Sequence, residues 1–168
     1  GNNISSASTG QSIEGSQVVC FVRGTRIETP SGVQKVEDLD VGCTVFTKCG
    51  PQRISWKHKS RSQVSGSTVP IRFSASALGP NIPNRPLKVS PQHRMVVRSP
   101  IVEQTYGVPE VLVPALAFLS LPGARRISQV SDVEYHHVAF EEHAIIFANG
   151  AATESFWPGK QTLLALSP

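Results

Sequence analysis

Glycine and proline interrupt this chain at short intervals, and this spacing constrains the fold more than any other feature. There are 13 of each among 168 residues, so few segments have room for a helix of ordinary length. Strand-forming residues fill the gaps. The pattern predicts a compact all-β barrel or sandwich of many short strands, with a single helical candidate at Pro114–Leu121. The predicted strands cover 26–29, 33–36, 41–47, 54–60, 69–73, 87–90 and 95–97.

Length and composition indicate one globular domain. Hydrophobic residues make up 39% of the chain and charged residues 17%, and a chain of this size buries a core without metal or disulfide support. No apolar run approaches the roughly 18–20 residues that span a bilayer. The N-terminus lacks a signal-peptide pattern. We therefore expect no membrane partner, and the cellular compartment stays open.

The first 19 residues differ from the rest of the chain. They are rich in serine, glycine and asparagine and nearly uncharged, which is typical of a flexible linker. The prediction is a flexible upstream segment at 1–19 and a folded domain at 20–168.

The three cysteines do not predict a disulfide framework or a metal site. Cys20, Cys43 and Cys49 are odd in number and lack the paired C-x-x-C spacing of zinc sites. We therefore expect at least one free thiol, no metal and no cofactor.

A basic stretch runs from Val41 to Val102. It contains ten lysine and arginine residues and no aspartate or glutamate, a charge pattern that nucleic-acid binders share. Its aromatic residues are Phe46, Trp56 and Phe73, without the interleaving that single-strand binders use for stacking. A solvated basic face on a monomer is the favoured interpretation, and nucleic acid is not an expected partner.

Two short motifs carry the candidate chemistry. Cys20 opens the β-rich region, and Ser90-Pro91-Gln92-His93 follows about seventy residues later. A thiolate can attack the carbonyl that precedes it, and an imidazole can protonate the amide nitrogen that leaves. A buried structural cysteine and a turn histidine are the alternative interpretations.

The sequence around these motifs resembles the Hint (hedgehog/intein) self-processing family from Cys20 to Gly159. The resemblance lies in Cys-Phe-x-x-Gly-Thr at 20–25, Pro-x-Gly at 30–32, Val-Glu-x-Leu-x-x-Gly at 36–42 and Ala-Asn-Gly at 148–150. Ser90 to His93 looks like the Thr-x-x-His element of that family. The resemblance implies a horseshoe-like all-β Hint fold with two pseudo-symmetric halves.

The resemblance also implies roles for individual residues. Cys20 would attack the carbonyl of Val19, and His93 would protonate the leaving amine with help from Ser90. Either His136 or His137 would lie near the nucleophile, where the family places an aspartate or cysteine. Strand alternation allows only one of the two to point inward, and which one stays open.

Two departures from the family pattern narrow the expected activity. Gly150 is followed by Ala-Ala-Thr-Glu-Ser-Phe, without the asparagine and nucleophile that end a splicing intein, so protein splicing is not expected. This late motif resembles the bacterial intein-like branch, which allows a secreted or cell-surface parent protein. Cys43 stands where hedgehog domains have an aspartate, so no sterol acceptor is expected. Cys43 is a possible acyl acceptor, a possible redox partner of Cys20, or a bystander.

The predicted function is therefore autocatalytic cleavage between Val19 and Cys20 by a single-turnover, cysteine-dependent domain. An N–S acyl shift would form a thioester that water or an external thiol or amine resolves, releasing the covalently attached upstream segment. The alternatives are a degenerate Hint domain that serves as a binding module and a cysteine hydrolase that acts in trans.

Overall fold

Short strands dominate the computed structural model, which describes residues 19–127 and 132–157. The predicted all-β class is confirmed. In chain order the strands are Phe21–Val22 (β1), Arg26–Thr29 (β2), Gly32–Lys35 (β3), Thr44–Thr47 (β4), Gly50–Arg53 (β5), Trp56–Gln63 (β6), Ile71–Phe73 (β7), Leu87–Val89 (β8), Arg94–Arg98 (β9), Glu110–Pro114 (β10), Ala124–Arg126 (β11), Asp132–Ala139 (β12), Ile145–Ala148 (β13) and Ala151–Glu154 (β14).

The strands of the described residues form two sheets. One has six strands in the order β11-β7-β8-β1-β12-β6. The other follows the path β10-β9-β14-β13-β2-β3, and β4 joins it by pairing with β13 and β5. Although β1 has only two residues, it lies between β8 and β12 and is antiparallel to both. The chain immediately before β1 therefore has a neighbouring strand on either side.

The predicted strand, tight turn and strand near the N-terminal end of the domain are confirmed. β2 and β3 pair antiparallel, with Thr29 opposite Gly32. Gly32 has a φ of 101°, a conformation that glycine adopts without the steric cost that a Cβ would bring.

The α-helix lies where the sequence did not predict one. Pro100–Tyr106 (α1) begins at Ser99, whose side chain accepts a hydrogen bond from the Val102 amide, and ends at Gly107 in the left-handed conformation. The predicted helix at Pro114–Leu121 is instead a 3₁₀ segment at Ala115–Ser120. The proline that suggested a helix start also ends β10, and Pro122-Gly123 follows too soon for further α-helical turns. Single 3₁₀ turns also occur at Val36–Asp38 and Gly66–Thr68. No helix in the described part of the chain has the length and apolar character needed to cross a bilayer.

Within residues 19–127 and 132–157, the buried apolar side chains form two clusters of different size. The larger cluster contains Phe21, Phe73, Leu87 and Ile146 among many others, and it lies within the scaffold formed by the sheets. Burial of each large apolar side chain contributes on the order of 2 kcal/mol, so this cluster supplies most of the driving force for folding. The smaller cluster consists of Cys20, Val64, Val133 and Tyr135. It contains the first cysteine, which is therefore packed apart from the larger cluster.

Candidate active site

Cys20 is held by backbone contacts on both sides of its α-carbon. Its N–H donates to the Ser90 hydroxyl at 3.2 Å, and its carbonyl accepts from the Ser90 N–H at 3.2 Å. Both Val19 and Cys20 are buried. The peptide bond between them is therefore enclosed by protein, and its nitrogen already faces a hydroxyl group.

His137 lies against the other atoms of the same peptide bond. Its Nδ1 is 3.2 Å from the carbonyl oxygen of Val19 and 3.5 Å from the Cys20 sulfur. Its Nε2 is 3.8 Å from the same sulfur and 3.4 Å from the Ser60 hydroxyl. A carbonyl oxygen only accepts hydrogen bonds, so this arrangement favours the tautomer that carries its proton on Nδ1. Nε2 is then an acceptor that faces the thiol.

The surroundings of His137 keep its ring neutral. Burial, followed by the nearby His58, lowers the pKa of His137 to about 4, against the raising effect of the Val19 carbonyl. The His58 ring is centred 5.6 Å away, and Trp56 and Phe156 also contact His137. At neutral pH the imidazole can therefore donate from one nitrogen and accept at the other.

His93 lies one peptide unit further along the chain. It sits in the turn after β8, where its N–H donates to the Ser90 carbonyl. Its Nδ1 is 3.0 Å from the carbonyl oxygen of Cys20, and its Nε2 is 2.9 Å from the carbonyl oxygen of Glu154. An imidazolium can donate to both oxygens, whereas a neutral ring can donate to only one. This buried ring is thus placed to hold a proton beside Cys20.

The structure distinguishes the two adjacent histidines of β12. His137 contacts Cys20, while His136 points to the opposite face, as strand alternation requires. There its Nε2 is 2.9 Å from a carboxylate oxygen of Glu134. This hydrogen bond holds the pKa of the Glu134 carboxyl below its usual value, although desolvation acts against it. His136 is therefore placed away from the candidate nucleophile, although the sequence left both histidines open.

Cys43 lies in a different environment from Cys20. None of the three cysteines forms a disulfide. The Cys43 sulfur accepts a hydrogen bond from the Asp40 amide at 3.4 Å, and the side chain packs against the larger core cluster. Cys20 belongs to the smaller cluster. The structure therefore brings Cys20, Ser90, His93 and His137 together and leaves Cys43 elsewhere.

Asn149 of the late motif is engaged in a tight turn. Its side-chain oxygen accepts from the Arg26 amide at 2.8 Å, and its side-chain nitrogen donates to the Pro86 carbonyl at 3.0 Å. Its φ is 47°, a conformation that asparagine tolerates better than most residues. Both ends of the amide are thus used to join β13 to its neighbours.

Sequence reasoning missed several residues near the nucleophile. Tyr135 could have been inferred by counting two residues back from His137 along a strand. Ser60 and His58 had no local signal, because they reach His137 only through the pairing of β6 with β12. Within the described ranges, no three histidine, cysteine, aspartate or glutamate side chains form a group that could hold a metal ion.

The comparisons with known proteins agree with this fold. A family model described as Hint domain matches residues 19–160. A bacterial intein-like domain from Clostridium thermocellum has a TM-score of 0.51 at 12% identity, covering 84% of this chain and 99% of that one. A DnaB intein from Synechocystis sp. PCC 6803 has a TM-score of 0.53 at 10% identity, covering 83% and 99%. No curated protein matches the sequence. Because the family model spans most of the chain, this protein belongs to the Hint family of self-processing domains.

Proposed function

We propose that this domain cleaves the bond between Val19 and Cys20 by an N–S acyl shift and releases the segment upstream of Cys20. One observation carries the proposal: His137 Nδ1 lies 3.2 Å from the Val19 carbonyl oxygen and 3.5 Å from the Cys20 sulfur. Ser90 contacts the nitrogen of the same bond. The carbonyl oxygen, the sulfur and the nitrogen thus each have a polar partner nearby, which is the positioning that favours an intramolecular reaction.

The first step is attack of sulfur on the Val19 carbonyl carbon. The thiol proton passes to Nε2 of neutral His137, and the thiolate adds to the carbonyl. The N–H of Nδ1 then donates to the oxyanion that forms, a type of interaction that strengthens as charge develops. His137 thus acts at both the nucleophile and the electrophile.

Collapse of the tetrahedral intermediate breaks the C–N bond. The nitrogen of Cys20 must gain a proton as it leaves, and the net change is transfer of the thiol proton to that nitrogen. We assign this protonation to His93 in its imidazolium form, whose Nδ1 lies 3.0 Å from the carbonyl oxygen of the same residue. Solvent then takes the thiol proton from His137 and returns a proton to His93, so both rings end in the state in which they began. The Ser90 hydroxyl, 3.2 Å from the nitrogen, orients the departing amine. The products of the step are a thioester at Cys20 and a free α-amino group.

Water, or an external thiol or amine, then resolves the thioester, and splicing does not follow. The residues after Gly150 are Ala-Ala-Thr-Glu-Ser-Phe, and they lack the asparagine and the following nucleophile with which a splicing intein ends. Hedgehog domains have an aspartate at the position of Cys43, directly after the motif at 36–42. Cys43 has no carboxylate that could activate a sterol hydroxyl, so a sterol is not the acceptor.

The test is the intact mass of the full chain over time at pH 7–8, with and without a reducing thiol, beside Cys20→Ala. We expect the wild-type chain alone to lose residues 1–19, and to lose them faster in thiol. If the mass stays unchanged under every condition, the cleavage proposal is wrong and the domain is a binding module. Loss of the segment from Cys20→Ala as well would also contradict it, because the sulfur would then be dispensable.

A further inference from the structure

Tyr135 is a further buried residue with a polar group beside Cys20. It lies on β12 two positions before His137, so both side chains share one face of the strand. It pairs with Val22 of β1, next to the pairing of Phe21 with His136. Its side chain packs in the smaller cluster together with Cys20, Val64 and Val133. The side chains of Tyr135 and Cys20 therefore lie in the same buried cluster.

The hydroxyl group of Tyr135 has an unusual environment. It is fully buried and has no hydrogen-bond partner among the described residues, whereas buried tyrosine hydroxyls ordinarily have one. Burial, followed by the charge of an ionised Cys20, raises the pKa of the phenol. The group therefore remains a protonated donor wherever the thiol ionises. A buried hydroxyl without an acceptor is costly, which favours a state of the site in which the Tyr135 hydroxyl gains one.

We propose that the Tyr135 hydroxyl donates a hydrogen bond to the sulfur of Cys20 when that sulfur becomes a thiolate, and that Tyr135 is thereby a further catalytic residue. A neutral thiol is a weak acceptor, whereas a thiolate is a strong one, so the interaction forms as the proton leaves for His137. The catalytic role of Tyr135 rests on the proposed acyl shift. The stabilisation of the thiolate, however, is a property of the folded site and can be measured without cleavage.

The first experiment compares the full-length wild-type chain with Tyr135→Phe, which removes only the hydroxyl oxygen. Iodoacetamide labelling of Cys20 is followed by peptide mass spectrometry from pH 6 to 10. We expect the labelling profile to move to higher pH by about one unit or more, and release of the upstream segment to slow by roughly 10- to 100-fold, because hydrogen bonds to charged groups are among the stronger ones. The titratable groups around Cys20 are the same in both chains: His137, the His58 ring beside it and His93 at the Cys20 carbonyl.

Tyr106→Phe is the matched control, since Tyr106 is 67% exposed on α1. It should leave both the labelling profile and the rate of release at wild-type values. Thermal unfolding separates a folding defect from a site effect, because loss of an unpaired buried hydroxyl should not lower the midpoint. An unmoved labelling profile in a normally folded Tyr135→Phe chain would overturn the proposal.

A second measurement covers the case in which Tyr135→Phe fails to fold. The chain has two tyrosines, so incorporation of 3-fluorotyrosine into Tyr106→Phe labels Tyr135 alone. We expect its fluorine signal to shift with the ionisation of Cys20 and to remain constant over the same pH range when Cys20→Ala is added. If the fluorine signal has the same pH dependence with and without Cys20→Ala, the proposal is wrong. If the mass test shows no cleavage but this signal follows the thiol, the acyl shift fails and the hydrogen bond stands.

Discussion

Nδ1 of His137 lies 3.2 Å from the carbonyl oxygen of Val19, although 118 positions separate the two residues in the chain. The contact arises because β12 pairs with β1, which follows directly after Cys20. Nε2 of the same ring is 3.8 Å from the Cys20 sulfur. One strand pairing therefore places a donor at the carbonyl that would be attacked and an acceptor near the thiol that would attack it.

Replacement of His137 should slow cleavage strongly. His137→Leu removes both ring nitrogens while it retains an apolar side chain against Trp56 and Phe156. Loss of a donor to a developing oxyanion costs about 10²- to 10³-fold in rate, and we expect release of residues 1–19 to slow by at least that factor. The measurement is intact mass over time. His58→Gln is the comparison, because it changes a neighbouring ring and should slow release only slightly. A wild-type rate in His137→Leu would exclude a role for this residue.

The stability of the domain should fall in mild acid because of His137. Its pKa is about 4 in the folded chain, lowered by burial and by His58 from the ordinary 6.5. The unfolded chain therefore binds the extra proton between these two values, so the stability is lost as the pH falls through that window. The full loss is about 3 kcal/mol.

Urea unfolding at pH 7, 5.5 and 4 measures this effect. Between pH 7 and pH 4, the free energy of unfolding of His137→Gln should fall by less than that of the wild type, with a difference of up to about 3 kcal/mol. Equal losses in the two chains would mean that His137 is not buried in its neutral form.

Ser90 should matter for both stability and cleavage, and threonine should restore both. Ser90→Ala leaves the buried N–H of Cys20 without its 3.2 Å acceptor, which costs about 1–3 kcal/mol. We expect a lower thermal midpoint and slower release of the upstream segment. Ser90→Thr keeps the hydroxyl and should recover most of both quantities. If alanine and threonine behave alike, the hydroxyl group is not what holds the scissile nitrogen.

The ion pair between Arg94 and Glu154 should stabilise the scaffold beneath His93. Glu154 is fully buried, Arg94 is 12% exposed, and the two side chains form a hydrogen-bonded pair. Arg94→Met would leave a buried carboxylate without this cation, which costs about 3–5 kcal/mol. The Glu154 carbonyl contacts the His93 ring, so the loss should also disturb the site.

The double variant Arg94→Met/Glu154→Gln is the control for this pair, because it removes both charges. It should recover a large part of the stability measured by thermal unfolding. If the double variant loses as much stability as Arg94→Met and Glu154→Gln lose together, the two side chains are not coupled.

Local sequence signals predicted the elements that depend on neighbouring residues. The hairpin at β2 and β3 follows from strand-forming residues around Gly32, and the confirmed all-β class follows from frequent glycine and proline. The same logic failed at Pro114, because a proline that can begin a helix can also end a strand. α1 was missed even though Ser99-Pro100 is a helix-start pattern, since the apolar periodicity of so short a segment is weak.

The sequence by itself determined the strand-rich class, the resemblance to the Hint family and the candidate residues Cys20, Ser90 and His93, because each depends on residue types at short spacing. Tertiary structure alone decided that His137 rather than His136 faces Cys20, and that Tyr135 packs in the same cluster as Cys20. Alternation says that adjacent strand residues point to opposite faces, but the face that meets Cys20 depends on how β1 pairs with β12. That register joins residues 117 positions apart, and it is set by packing of the whole core rather than by any local pattern.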